Sequence, residues 1–279
     1  MGNVFGGDDG LVSGNSLFKK TESLVTVDKL RDVYLFGLNI ADGNGNPLPD
    51  AVYQQYIDNA VSLLEHFLDI SITPVEQFVE YKDYHMPEYW DWGYFQLNNF
   101  PVICIRELSL VYFRDANADP IEVQTIPNNW IRLQAHDGII RLIPNASFPA
   151  KLQISGAGTF FPELLKARMV PHAWKFTYDY GFPTGKIPVL LNQAISTIAA
   201  LQALIVGGNL VLGAGIAGSS ISLDGLSQSI QTTQSAENSA YSATIKDYGQ
   251  RLFGSRQDDP FAIMTILKDY YKGANINII

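Results

Sequence analysis

Two stretches, DGNGNPLPD from Asp42 to Asp50 and DANADP from Asp115 to Pro120, carry the Asp-x-Asn-x-Asn/Asp spacing that opens calcium-binding loops. Such a loop also needs glycine at its sixth position and a bidentate glutamate at its twelfth. Here Pro47 and Pro120 occupy the sixth positions, and Tyr53 and Ile126 the twelfth, so both stretches read as Asx-rich turns. The histidines, His66, His85, His136 and His172, are scattered without ligand spacing. HMPEYWDW brings His85, Glu88 and Asp91 together, but Pro87, Trp90 and Trp92 make it a packed or contacting loop rather than a metal site. The same tryptophans suggest a competing class, a carbohydrate-binding module. The single cysteine, Cys104, excludes an internal disulfide and a Cys-rich zinc site. It lies in the apolar run PVICIRELSLVYF and reads as a buried thiol rather than a nucleophile. No Gly-x-Ser-x-Gly, Walker or dinucleotide fingerprint occurs, and Gly-rich GNLVLGAGIAGSS lacks the spaced acidic residue. The expectation is a protein without catalytic residues, metal or cofactor.

The elements that would have to position any such site change hydrophobic period twice. TVDKLRDVYLF reads as a first helix, with Thr26 as N-cap and Gly37 as stop. The clearest helix runs from about Asp50, its expected N-cap, to Ile70. Its apolar stripe is Val52, Tyr56, Ala60, Leu64 and Leu68, widened by Tyr53, Ile57, Val61 and Phe67. From Thr73 to about Tyr180 the period becomes two, and VEQFVEYKDY, VICIRELSLVYF, NWIRLQAH, GIIRLIP, AKLQISG and WKFTYDYGF read as strands. Asp137-Gly138 marks a tight hairpin, and FFPELLKARM a short helix. After Pro188, PVLLNQAISTIAALQALIVGG is expected to be helical and to end at Gly207-Gly208. ENSAYSATIKDYGQRLF and PFAIMTILKDYYKG are two closing helices around the turn GSRQDD.

The expected fold class is therefore α+β: a helical bundle from the N- and C-terminal parts with a β-rich middle insertion. Residues 1–23 form a flexible arm, 24–72 and 181–279 the helical core with its C-terminal tail, and 73–180 the β-rich portion. The opening MGNVFGGDDGLVSGNS has no basic start before an apolar stretch, so it is not read as a secretory signal. Gly6 stands where a myristoylation signal has Ser or Thr.

Composition narrows the function classes. Charged residues make up 17% of the 279, below the usual quarter or so, and 14 are Tyr, which favours covered or contacting surfaces. A net charge of −9 argues against a protein that grips nucleic acid, though it suits a surface that DNA passes without sticking. No charge occurs between Lys186 and Asp224. A membrane span needs about twenty predominantly apolar residues. Asn192, Gln193, Gln202 and Asn209 interrupt this stretch, as do glycines at 207, 208, 213, 215 and 218. A buried helix followed by a Gly-rich β or loop segment fits better, with an interfacial anchor over Ile187–Gly218 as the competing class. The neutral Ser/Gln/Thr run from Ser219 to Ser235 reads equally as a solvated loop or as a surface that pairs with copies of itself.

Three stretches together resemble the head–tail connector (adaptor, head-completion) proteins of tailed bacteriophages. YIDNAVSLLEHFLDISI is similar to that family's signature helix, through Ile57, Ala60, Leu64, Glu65 and Leu68. FQLNNFPVICIRELSLVY is similar to its apolar–Pro–Val entry into a strand, through Phe100, Pro101, Val102 and Ile105. TYDYGFPTGKIPVLLNQAISTIAALQAL resembles its passage into the second long helix, through Tyr178, Gly181, Ile187, Pro188, Ala194 and Ile195. Simple members have nothing like the strands between Tyr112 and Phe176 or the tail beyond Gly207. The resemblance implies a non-enzymatic virion protein of the neck, present in host cytoplasm during assembly and without a membrane partner. It implies a homo-oligomeric ring, commonly a dodecamer, docked on the portal protein. Such a ring offers a platform to a downstream neck or tail protein and lets double-stranded DNA through its lumen without specific binding. By that resemblance the C-terminal tail reaches the portal through Phe261, Ile263, Ile266, Leu267, Tyr270 and Tyr271. The Ser219–Ser235 run packs between subunits through Ser222, Gln228, Gln231 and Gln234.

Overall fold

The structure is a computed structural model that describes residues 20–38, 40–41, 44–85, 94–114, 119–142, 169–212, 218–223, 226–231, 241–255 and 259–272. The chain is mixed helix and sheet and divides into two compact units. One contains Ile70–Thr184, the other Gly14–Asp69 together with Gly185–Gly273.

In the first unit, β2 (Val75–His85), β4 (Val102–Tyr112), β5 (Ile121–Thr125) and β8 (Met169–Tyr180) form an antiparallel sheet in the order β2-β8-β4-β5. A smaller sheet, in the order β3-β7-β6, contains β3 (Tyr94–Gln96), β6 (Ile131–Gln134) and β7 (Ile139–Leu142). The β6–β7 hairpin turns through residues 135–138, and Gly138 takes the left-handed φ of +65° that Asp-Gly turns supply. Period-two alternation buries Leu108, Leu110, Trp174, Phe176 and Tyr178 in one core with Phe95, Ile140 and Trp130. The Phe95 ring stands edge-on to Trp174 and to Phe176, with centroids 5.2 Å away in each case. Periodicity does not mark β5, because as an edge strand it leaves most of its side chains at least partly exposed. Asn129 and Trp130, expected at the start of a strand, instead belong to a 3-10 turn over Asn128–Trp130 before β6. The expected strand AKLQISG lies outside the described residues, as does FFPELLKARM up to Met169.

Two bulges in β2 and β8 are each held by an aspartate. Register slips between Val75 and Phe78, where Gln77 has φ +55°, and its N–H donates to Asp179 Oδ1 at 2.8 Å. A second slip lies between Lys82 and Tyr84. Facing it, His172 has φ +53° and donates its N–H to Asp83 Oδ1 at 2.9 Å. A bulge leaves backbone groups outside the ladder, and a carboxylate is a strong acceptor for them.

The second unit is built on helices. α1 (Val27–Lys29) starts at Thr26, whose hydroxyl accepts from Lys29 N, and runs on as a π-helical turn over Leu30–Tyr34. α2 (Asp50–Leu68) packs on α3 (Val189–Leu212), and α4 (Ser242–Phe253) and α5 (Ile263–Lys272) also pack against α3. Two short pairs complete it: β1 (Thr21–Glu22) with β9 (Ile187–Pro188), and β10 (Gly218–Leu223) with β11 (Leu226–Gln231).

Three expectations for this unit are corrected. The N-cap of α2 is Pro49, extended at ψ 147°, while Asp50 sits in the first turn and pairs with Arg31. The buried face of α2 is Tyr53, Ile57, Ala60, Val61, Leu64 and Leu68. Val52 and Tyr56 are only half-buried and Phe67 is exposed. Gly207-Gly208 does not end α3, which continues to Leu212. Gly207 instead permits close packing, since a Cβ there would lie 2.7 Å from Ile40 Cγ2.

Candidate functional site

The three stretches quoted above are joined in the β-rich unit through their portions 70–72, 100–102 and 178–182. Ser71 N–H, just beyond α2, donates to Phe100 O at 2.8 Å, and Phe182 N–H donates to Ile72 O at 3.1 Å. Gly181 N–H donates to Pro101 O at 2.8 Å, and Val102 N–H to Ala135 O at 2.8 Å. Val102 also faces Tyr180 in the sheet. Gly181 has φ +93°, and a Cβ there would collide with the Thr73 carbonyl, so the joint excludes a side chain at this position. Ile70, Ile72, Phe100, Val102 and Tyr178 are buried around it.

Two carboxylates lock the strands beside the joint. Glu80 is buried and accepts from Tyr178 O–H at 2.5 Å, from Asn98 N–H at 3.2 Å and from Lys82 Nζ at 2.7 Å. Asn99 Nδ2 donates to the Tyr178 oxygen at 3.3 Å. Burial, together with the adjacent Glu80 carboxylate, drives the Tyr178 phenol well above its ordinary value, so it stays a donor. Asp179 accepts from Arg106 Nε at 2.6 Å, from Gln77 N–H and from Cys104 Sγ at 3.3 Å. Burial works against its charge, but these hydrogen bonds outweigh burial and hold the carboxyl below the usual range. Burial and the neighbouring Asp179 push the Cys104 thiol up, which removes thiolate character. Both carboxylates are saturated by structural partners. Among the described residues, no group of three or more His, Cys, Asp or Glu could hold a metal ion. His85, Glu88, Asp91 and the two tryptophans belong to the stretch whose side chains lie outside the described residues.

In the helical unit the corresponding lock centres on a neutral amide. Asn192 on α3 accepts Val25 N–H at 2.9 Å through Oδ1, and its amide donates to Glu22 Oε1 at 2.8 Å and Ser23 O at 2.9 Å. Ser196 and Thr197 turn their hydroxyls back onto the helix carbonyls of Asn192 and Gln193. Residues 189–208 of α3 are long and apolar enough to cross a membrane, by length and composition. Asn192 fastens that helix to residues 22–25 of the same unit.

The residues expected at interfaces divide. Ile263, Leu267 and Tyr271 are buried inside the helical unit, while Ile266 and Tyr270 are half-buried. Phe261 is 87% exposed. It follows a turn clamped by Asp259, which accepts Phe261 N–H at 3.0 Å and Ser255 N–H at 3.3 Å. Gly254, at φ +83°, lies against the same aspartate, and Phe253 before it is also exposed. The expected turn GSRQDD ends at this aspartate, directly before Pro260 and Phe261. Ser222, Gln228 and Gln231 lie on the β10–β11 hairpin, and Gln234 lies outside the described residues. The carboxylates Glu80 and Asp179 were not singled out from sequence. Glu80 alternates in phase with Phe78, whereas Asp179 is out of phase with the core residues Trp174, Phe176 and Tyr178 and finds its backbone partner only through the Gln77 bulge.

No protein-family model matches the chain, and no curated protein sequence matches it. Among solved structures it is similar to a chain of the neck of an empty gene transfer agent particle computed with C6 symmetry. The TM-score is 0.40 and the identity 15%, over 88% of each chain. It is also similar to a chain of the virion of a native gene transfer agent particle, with a TM-score of 0.41 and 17% identity, over 88% of this chain and 89% of that one.

Proposed function

We propose that the chain is a structural, non-catalytic subunit of a virion neck, a head–tail connector of the tailed-phage type. In this reading identical copies form a ring under the portal, extend the DNA channel and receive the next neck or tail protein. One observation carries the reading. The three stretches that resemble connectors, far apart in sequence, are joined by Ser71–Phe100, Gly181–Pro101 and Phe182–Ile72 backbone bonds. A chance scatter of apolar patterns gives no reason for that convergence. The net charge of −9 supports a lumen over which DNA slides, since clustered Lys and Arg would retain phosphate. Locks in which every carboxylate is saturated support a scaffold rather than a catalyst.

Portal docking falls to Phe261, flanked by the half-buried Ile266 and Tyr270, because Ile263, Leu267 and Tyr271 serve the chain's own core. A rigidly mounted aromatic is the type of residue that dominates an interface. The test is native mass spectrometry of the purified protein, alone and with its portal, in detergent-free buffer. The expected species is a closed multiple of the 30.9 kDa chain that binds the portal, with Phe261→Ala weakening portal binding about tenfold or more. A chain that stays monomeric with the portal, or needs lipid to remain in solution, contradicts the reading.

A further inference from the structure

The β10–β11 hairpin offers a self-complementary edge. Its register pairs Gly218 with Gln231, Ser220 with Ser229, Ser222 with Ser227 and Leu223 with Leu226. Among the described residues this sheet has only two strands, so both of its long edges carry backbone donors and acceptors outside the ladder. A two-stranded hairpin alone is at best marginally stable in water. Two residues separate Leu223 from Leu226, so that closing pair exchanges hydrogen bonds and pairs alternate from there. The backbone groups of 222, 220 and 218 on β10, and of 227, 229 and 231 on β11, then face outward along the edges. All six positions are Ser, Gly or Gln, on the polar face. The opposite face holds Ile221, Leu223, Leu226 and Ile230, with Ser219 and Gln228.

We infer that the occupant of these edges is the same hairpin of a neighbouring copy, so that β10 of one chain pairs with β11 of the next. The inference rests on the ring reading above. Charge selects this occupant: neither strand has a charged residue, so identical edges meet without repulsion and a charged partner gains nothing there. Strand direction selects the arrangement. Copies in the same orientation bring the β11 of one chain beside the β10 of the other in the antiparallel sense, with six residues in each. That contact is head-to-tail, the type that closes into a ring. It joins the apolar residues of successive hairpins into one band, which a lone hairpin cannot cover.

Ser220→Pro combined with Ser229→Pro removes one outward N–H from each edge and spares the inward ladder. The expected result is a chain with an unchanged melting temperature whose half-assembly concentration rises about tenfold or more. Ser220→Lys alone leaves its own cross-strand partner Ser229 neutral and puts an unpaired charge at each contact between chains. It should weaken the ring without loss of melting temperature, and it decides the matter if the prolines unfold the hairpin. Hydrogen exchange should show the Ser220 and Ser229 amides protected in the ring. Rings that form equally well in both variants, or those amides exchanging freely within the ring, overturn the inference while leaving the connector reading intact. A wild-type chain that forms no ring removes both.

Discussion

In the β-rich unit the buried polar groups include two carboxylates, Glu80 and Asp179, whereas in the helical unit the described ones are the neutral Asn192, Ser196 and Thr197. The difference follows from what each unit must hold. A sheet with slipped registers has stray backbone N–H groups, and an ionised carboxylate such as Asp179 takes one of them together with side-chain donors. A bundle around an uncharged helix has its backbone already paired and needs only one amide to fasten residues 22–25. The carboxylates of the β-rich locks are buried, whereas Glu22 beside Asn192 is partly exposed and paired with Lys29. The two hairpin strands of the helical unit are uncharged, with Asp224 the single charge between them in sequence.

The largest effect should come from breaking the charged lock. Glu80→Ala leaves Tyr178 O–H, Asn98 N–H and Lys82 without their acceptor, at a cost of about 3–5 kcal/mol. In urea unfolding followed by hydrogen exchange, the loss should fall on the β-rich unit. An equal loss in the helical unit would erase the contrast. Asn192→Ala, the neutral counterpart, strands Val25 N–H in a buried place and should cost about 2 kcal/mol. Faster exchange at Val25, with strands β2, β4 and β8 unaffected, is the expected pattern.

Acid separates the two units next. The folded Asp179 carboxyl is held below its ordinary 3.8, because its hydrogen bonds outweigh the burial that opposes them. Its contribution is therefore present above about pH 4 and is lost as pH falls through the depressed folded value. Asp179→Asn should cost about 1.5 kcal/mol at neutral pH and flatten that acid loss. Glu22 in the helical unit is also depressed, by Lys29 and Asn192 against burial, but 32% of its side chain is exposed and solvent screens its share. The smallest effect belongs to Gly207→Ala. A new methyl against Ile40 should cost about 1 kcal/mol net of the better helix propensity, and combined with Ile40→Ala, which removes the facing Cγ2, it should cost less than the two single changes added.

What was legible in the sequence was what periodicity alone determines. The α2 helix, the Asp137-Gly138 hairpin and the long strands β2 and β4 stand where periodicity places them, whereas β8 begins at Met169, ahead of the expected start at Trp174 and at a residue expected to end a short helix. Illegible features were those set by a distant partner. Gly207 looks like a helix stop until Ile40 is seen against it. Asp179 looks like a solvated strand residue until the bulge at Gln77 supplies its backbone partner. The Ser/Gln run did not distinguish loop from strand, because Ser and Gln favour neither and the pairing of Ser220 with Ser229 supplies the order. Half of the apolar tail face was needed by its own core, and the apolar stripe could not separate inner residues such as Leu267 from the exposed Phe261.

The most direct test of the connector assignment is electron cryomicroscopy of the purified protein mixed with its portal. The account predicts a closed ring of this chain stacked coaxially on the portal, with a continuous opening wide enough for duplex DNA. Particles in which the chain is monomeric, or lies off the portal axis with no opening, would contradict it.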